Sequence, residues 1–141
     1  MNFENISIVC HHGKGTALYL IELCKWFKVD YFVINDWDFE LQELDINTVE
    51  GINTAEELKD HSIYTSTDDS TKKGMITTNW NLINKAGKDQ IHFNVKKLES
   101  VIGYKTNDKS SLAIWGILNS GSFEISASLF PDNLHVFLGI K

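Results

Sequence analysis

Residues 6–38 read ISIVCHHGKGTALYLIELCKWFKVDYFVINDWD, and this stretch decides the predicted fold. Residues 6–10 are rich in β-branched side chains, residues 31–34 are apolar at every position, and apolar residues between them recur at three- and four-residue spacing. These patterns predict a strand, an amphipathic helix beginning near Thr16, and a second strand covered on both faces. Together they form a βαβ crossover, in which ligands gather beyond the carboxyl ends of the strands.

The rest of the chain continues this alternation of helical and strand patterns. The predicted elements are a short helix at 54–61, a polar loop at 65–74, a helix at 77–85, a strand at 91–95, a helix near 110–118 and a last helix that begins at Pro131. The sequence therefore predicts an α/β fold, a mostly parallel sheet with helices on both faces, in a single domain that spans residues 1–141.

Composition restricts the classes of function. The 141 residues include 13 basic and 19 acidic side chains, for a formal net charge of −6 at pH 7, and every basic residue is a lysine. This charge disfavours a generic basic DNA-binding module, because nonspecific affinity for DNA comes from positive charge on phosphates. It is compatible with an enzyme that meets phosphates through a divalent cation. The two cysteines, and the lack of a leader pattern or a long apolar run, predict a cytoplasmic protein with no membrane partner.

The second predicted strand ends in Asn35-Asp36-Trp37-Asp38. On an extended backbone the carboxylates of Asp36 and Asp38 lie on the same side, close enough to share a Mg²⁺ or Mn²⁺ ion. A metal placed there could stabilise the attacking and leaving oxygens of phosphoryl chemistry. Trp37 then faces away from the carboxylates and packs in the core. The alternative interpretation is that one aspartate caps a turn and the other is solvated.

The segment His12-Gly13-Lys14-Gly15-Thr16 is a glycine turn where the predicted helix begins, and a helix amino terminus presents free amides. It is similar to the end of a nucleotide-binding phosphate loop but lacks the upstream glycine of that motif. Three interpretations stay open. The turn lets the helix pack closely on the sheet, it contacts phosphate or lies next to a metal, or it binds a nucleotide.

Glu99 follows the predicted strand at 91–95, and Lys105 and Lys109 come after it. A carboxylate at this point would join Asp36 and Asp38 if the two strands are neighbours. A nearby lysine would offset the charge of a scissile phosphate. Taken singly, each of these residues is typical of a solvated surface, so they matter only in combination.

In combination, these motifs resemble the Toprim domain of OLD-family (overcoming lysogenization defect) ATP-dependent endonucleases. The shared features are a glycine-lysine turn that opens a helix, a strand that ends in Asp-x-Asp, a later Leu-Glu after a strand, and a lysine about ten residues on. The resemblance implies a Rossmann-like Toprim fold and Mg²⁺-dependent cleavage of DNA by two metal ions. The implied site residues are Asp36, Asp38 and Glu99 as metal ligands, Glu99 and Lys109 (or Lys105) as catalytic residues, and Gly13, Lys14 and Gly15 as the cofactor-binding turn.

One feature of the family is missing. Its Toprim domain begins with a strand that ends in a glutamate, whereas this chain starts at the second strand, with Glu4 ahead of it. We therefore expect an N-terminally incomplete domain that lacks the ATPase domain as well. The predicted function is that of a metal-dependent DNA nuclease domain or fragment. The alternative is a degenerate Toprim-like interaction module, whose open sheet edge assembles with a partner chain or a second copy of itself. Nucleotide binding by the glycine turn is a third hypothesis.

Overall fold

The structure is a computed structural model that describes residues 6–95, Leu112, Trp115, Gly116, Asn119 and residues 131–139. In chain order its elements are α1 (Lys14–Phe27), β1 (Val33–Asp36), α2 (Ile46–Glu50), α3 (Ala55–Asp60), α4 (Ser62–Thr65), α5 (Ser70–Ala86), a 3₁₀ turn (Lys88–Gln90), β2 (Ile91–Asn94) and α6 (Asp132–Leu138). The described part of the chain is therefore a mixed α/β structure.

The sheet of the described residues consists of β1 and β2, which pair in parallel. Val33 lies opposite Ile91, and Asp36 lies opposite Asn94. Parallel neighbours need a long crossover connection, and here α2 to α5 form it. The prediction of an α/β protein with parallel strands is confirmed. Because both strands end at the same edge, Asp36 and Asn94 become neighbours although they are 58 residues apart in sequence.

The predicted first strand is wrong. Residues 6–10 form no strand and are exposed, with Ile8 96% exposed. Their β-branched pattern favours an extended backbone but cannot supply a neighbouring strand to pair with. The strand predicted at 31–34 is shifted to Val33–Asp36, and Ile34 is 47% exposed, so it is not covered equally on both faces.

Helix α1 begins at Lys14, with Gly13 rather than Thr16 as its N-cap. The predicted amphipathic face packs against α5 through the buried side chains of Ala17 and Ile21. An ion pair between Glu22 and Lys85 also joins the two helices. The predicted face does not extend to the end of the helix, because Phe27 is exposed.

Helix α5 is longer than the sequence pattern predicted. It begins at Ser70 because the side chain of Asp69 accepts hydrogen bonds from the backbone amides of Thr71 and Lys72, which have no partners inside the helix. Residues 70–74 are therefore helical, and the predicted loop ends earlier than expected. The helix ends at Ala86, before Gly87, as predicted.

Other local predictions are confirmed where the structure describes the residues. Thr54 caps α3 in a capping box with Glu57, and α6 begins directly after Pro131. Trp37 is fully buried, as expected, and packs edge-on against Phe93, while its indole N–H donates to the Leu44 carbonyl oxygen at 2.8 Å. Among the described residues, no helix is long and apolar enough to cross a membrane.

Candidate functional site at the carboxyl ends of the strands

The carboxyl edge of the two strands carries a row of polar side chains. The backbone N–H of Trp37 donates to the carbonyl oxygen of Asn94 at 2.8 Å and extends the parallel pairing past Asp36. Asn94 is buried, and its Nδ2 lies 3.4 Å from Oδ1 of Asp36. The amide of Asn94 therefore helps to orient the first aspartate of the Asp-x-Asp motif from the neighbouring strand.

Asp38 has a left-handed backbone, with φ at +68°. This conformation is uncommon outside glycine, although aspartate tolerates it better than most residues. It ends the extended run of β1, so the expectation that Asp36 and Asp38 share a side by strand alternation does not hold through Asp38. The ion pair with Lys14 instead orients the carboxylate of Asp38.

Lys14 is the first residue of α1, and its side chain forms hydrogen bonds to two residues outside this helix. Its Nζ donates to Oδ2 of Asp38 at 2.5 Å and to Oδ1 of Asn79 at 2.7 Å. Its side chain is 16% exposed, whereas that of Asp38 is 38% exposed. The ammonium group thus lies at the inner side of the site, and the carboxylate it neutralises faces solvent.

Asn79 is a site residue that the sequence analysis missed. It lies on α5, is fully buried, and donates from Nδ2 to the Trp37 carbonyl oxygen at 2.8 Å while its Oδ1 accepts from Lys14. One amide therefore joins α5 to the end of β1 and to the start of α1. A signal was present, because Asn79 interrupts an apolar helical stripe that includes Ile76, Ile83 and Ala86.

The glycine turn ahead of α1 has one position that requires glycine. Gly13 has φ at +88°, which side chains other than glycine rarely adopt. Gly15 has no such angle, and a Cβ there would meet nothing within 4 Å. The turn also bonds to itself, since the Gly13 amide donates to the His11 carbonyl oxygen and the Thr16 hydroxyl donates to the His12 carbonyl oxygen. This favours the close-turn interpretation for Gly13.

The predicted metal and catalytic residues divide into two groups. Asp36 and Asp38 lie within the described residues, where Lys14 of the predicted turn pairs with Asp38, whereas Glu99, Lys109 and the alternative Lys105 lie outside them. Within the residues that the structure describes, no group of three or more histidine, cysteine, aspartate or glutamate side chains could hold a metal ion. Of the predicted metal ligands, the structure therefore describes two carboxylates, those of Asp36 and Asp38, and Lys14 pairs with the second.

Comparison of the chain with protein-family models, with curated proteins and with solved structures finds no match. The Toprim resemblance therefore stays a prediction from the motifs in residues 12–38 and from Glu99 and Lys109. What the described residues add is a physical arrangement. Asp36 ends β1 with its carboxylate near the Asn94 amide, and two residues later Asp38 pairs with Lys14, the first residue of α1.

Proposed function

We propose that the chain is a Mg²⁺- or Mn²⁺-dependent nuclease domain of the Toprim type, which hydrolyses DNA phosphodiesters at the carboxyl edge of β1 and β2. The observation that supports it best is the ion pair between Asp38, two residues past the end of β1, and Lys14, the first residue of α1. The proposal includes a Toprim-like sheet with helices on both faces, a single domain over residues 1–141, and Glu99 and Lys109 as further site residues.

The described side chains fit a divalent cation of this type. Mg²⁺ usually keeps several waters and binds through one or two carboxylates plus substrate phosphates, so Asp36 and Asp38 are a sufficient protein contribution. Asp38 is partly exposed, and the Asn94 amide contacts the carboxylate of Asp36. The bound cation would polarise a phosphoryl oxygen and lower the pKa of a bound water.

The chain's own residues would perform the remaining tasks. Asn94 orients the carboxylate of Asp36, and Asn79 fixes the position of Lys14. The ammonium group of Lys14 adds positive charge where a scissile phosphate would lie, and the amino terminus of α1 adds the partial charge of its free amides. Because the chain has a net charge of −6, approach of DNA would depend on the cation rather than on a basic surface.

The test is cleavage of a supercoiled plasmid in Mg²⁺ or Mn²⁺, with EDTA as the blank. We expect nicking by the wild-type chain and a loss of at least about a hundredfold in Asp36→Asn, which keeps the size of the side chain but removes the charge that would hold the cation. Asp30→Asn is the matched control, because it removes an exposed carboxylate ahead of β1. Nicking that is equal in Asp36→Asn and in the wild type would show that the site is elsewhere.

A second candidate function, an interaction module, is favoured by the outer face of α1. Tyr19, Leu23, Trp26 and Phe27 are large apolar residues on this helix, and Tyr19, Trp26 and Phe27 are each more than 70% exposed. A contiguous exposed apolar patch is typical of a protein interface. In this interpretation the outer face of α1 packs against a partner such as an ATPase domain, another chain or a second copy.

Sedimentation equilibrium distinguishes this candidate from a monomeric nuclease. We expect a self-associating wild-type chain to become monomeric in Trp26→Ser, because the substitution removes the most exposed large ring of α1. Lys59→Ser, an exposed change on α3, is the control. A monomeric wild-type chain that cleaves DNA would rule out a solely self-assembling role.

A further inference from the structure

We propose that Lys14 is an internal counter-ion of the site, one that competes with a divalent cation for Asp38 and turns to the substrate phosphate once the cation is bound. The inference rests on the proposed function, because it assumes a cation at Asp36 and Asp38. It adds a role for a residue of the glycine turn, and it concerns the order of events at the site rather than the identity of the metal ligands.

The first argument is that the ammonium group of Lys14 already occupies the position beside Asp38 that a bound cation would take. Its Nζ lies 2.5 Å from Oδ2 of Asp38, and a cation bound to that oxygen would lie within a few ångströms of the ammonium group. Two cations this close repel each other strongly in a partly buried site. Binding of a divalent cation to Asp38 therefore requires that Lys14 move away from this oxygen.

The second argument concerns what Lys14 needs after it moves. The Lys14 side chain is only 16% exposed, and its remaining partner is the neutral amide of Asn79, which is held by the Trp37 carbonyl oxygen. A poorly solvated ammonium group needs a negative partner. The group that the reaction brings to this place is a phosphate, so Lys14 would pass from Asp38 to the phosphodiester while its ammonium group keeps the hydrogen bond to Asn79.

The third argument is the contrast with a lysine in the first turn of another helix. Lys72, in the first turn of α5, pairs with Glu43, and both side chains are more than 40% exposed. No buried amide holds Lys72 in the hydrogen bonds of the described residues. Lys72 therefore provides a matched control for the removal of one positive charge near a carboxylate.

The experiment measures the affinity of the whole chain for Mg²⁺ by isothermal titration calorimetry at constant ionic strength, alongside plasmid nicking. We expect Lys14→Met to bind Mg²⁺ about tenfold more tightly than the wild type, because the competing charge is gone. Lys14→Arg, which keeps the charge, and Lys72→Met should stay within about twofold of the wild type. Nicking should fall in Lys14→Met despite the tighter binding of Mg²⁺, because the phosphate loses the positive charge of the Lys14 ammonium group.

The outcomes separate this inference from the proposed function. Tighter binding in Lys14→Met, without cleavage by the wild type, would support the competition and contradict the nuclease proposal. Unchanged or weaker binding in Lys14→Met, with cleavage by the wild type, would overturn the counter-ion role and leave the nuclease proposal intact. Full cleavage by Lys14→Met would overturn the transfer to phosphate. Absence of Mg²⁺ binding in both proteins would overturn both proposals.

Discussion

Two lysines of this chain, Lys14 and Lys72, have similar positions at the start of a helix but different surroundings in the structure. Lys14 and Lys72 each lie in the first turn of a helix, and each pairs with a carboxylate more than twenty residues away. The Lys14 side chain is mostly buried and also bonds to a fully buried amide, although its partner Asp38 is exposed, whereas Lys72 and Glu43 both lie at the surface. The difference shows that the surroundings, rather than the pairing itself, decide whether such a lysine can serve a site.

The largest expected effect comes from removing the amide that distinguishes the two pairs. Asn79→Leu leaves the Trp37 carbonyl oxygen and the Lys14 ammonium without a buried partner, so we expect a loss of about 3 kcal/mol in the free energy of unfolding. Urea denaturation measures it. Asn84→Leu is the matched control on the same helix, since its amide bonds to the Trp80 carbonyl oxygen at an exposed position, and it should cost at most about 0.5 kcal/mol. Equal losses in the two variants would contradict a special role for Asn79.

Removal of each lysine tests the comparison directly. We expect Lys14→Met to lower the free energy of unfolding by about 1 to 2 kcal/mol, because the Asn79 Oδ1 loses its donor inside the protein. Lys72→Met removes an exposed partner, and its effect should not be measurable. Both are read from urea denaturation in EDTA. If the two variants lose the same stability, the burial of Lys14 does not make its contacts stronger.

Salt should act differently on the two pairs. Exposed charges are screened at high ionic strength, and partly buried ones much less. The destabilisation caused by Lys14→Met should therefore persist from 0.05 to 0.5 M NaCl, within about 0.3 kcal/mol. Urea denaturation at the two salt concentrations measures it, with Glu43→Gln as the surface reference. A Lys14→Met effect that disappears at high salt would place this ion pair in the same class as the surface pair.

The smallest expected effect is a pH dependence of the surface pair. The hydrogen bond and charge of Glu43 raise the pKa of Lys72 above 10.5. A raised lysine pKa gives stability that is fully present below pH 10.5 and is lost as pH rises through the folded-state pKa. The wild type should therefore lose slightly more stability than Glu43→Gln between pH 9.5 and 11.5, measured as the difference between their unfolding midpoints in urea. A difference of the opposite sign would contradict the raised pKa.

Local signals predicted much of the fold. The glycine turn before a helix, the short helix α3, the alternating strand β2 and the helix after Pro131 all depend on residues near each other in sequence, and each was predicted. The strand at residues 6–10 was predicted wrongly, because a β-rich run becomes a strand only where a neighbour pairs with it. The beginning of α5 was missed because the polar residues after Asp69 resemble a loop.

The candidate site likewise combines features set by neighbouring residues with contacts set by tertiary packing. The sequence by itself determined that Asp36 ends an apolar strand, that Trp37 belongs to the core, and that Gly13 and Lys14 open α1, since each depends on local backbone geometry and apolar pattern. Only the tertiary structure decided that Asn79, 65 residues from Lys14, holds its ammonium against Asp38. Such a contact depends on how α1 packs against α5, and packing between distant elements leaves no fixed spacing in a sequence.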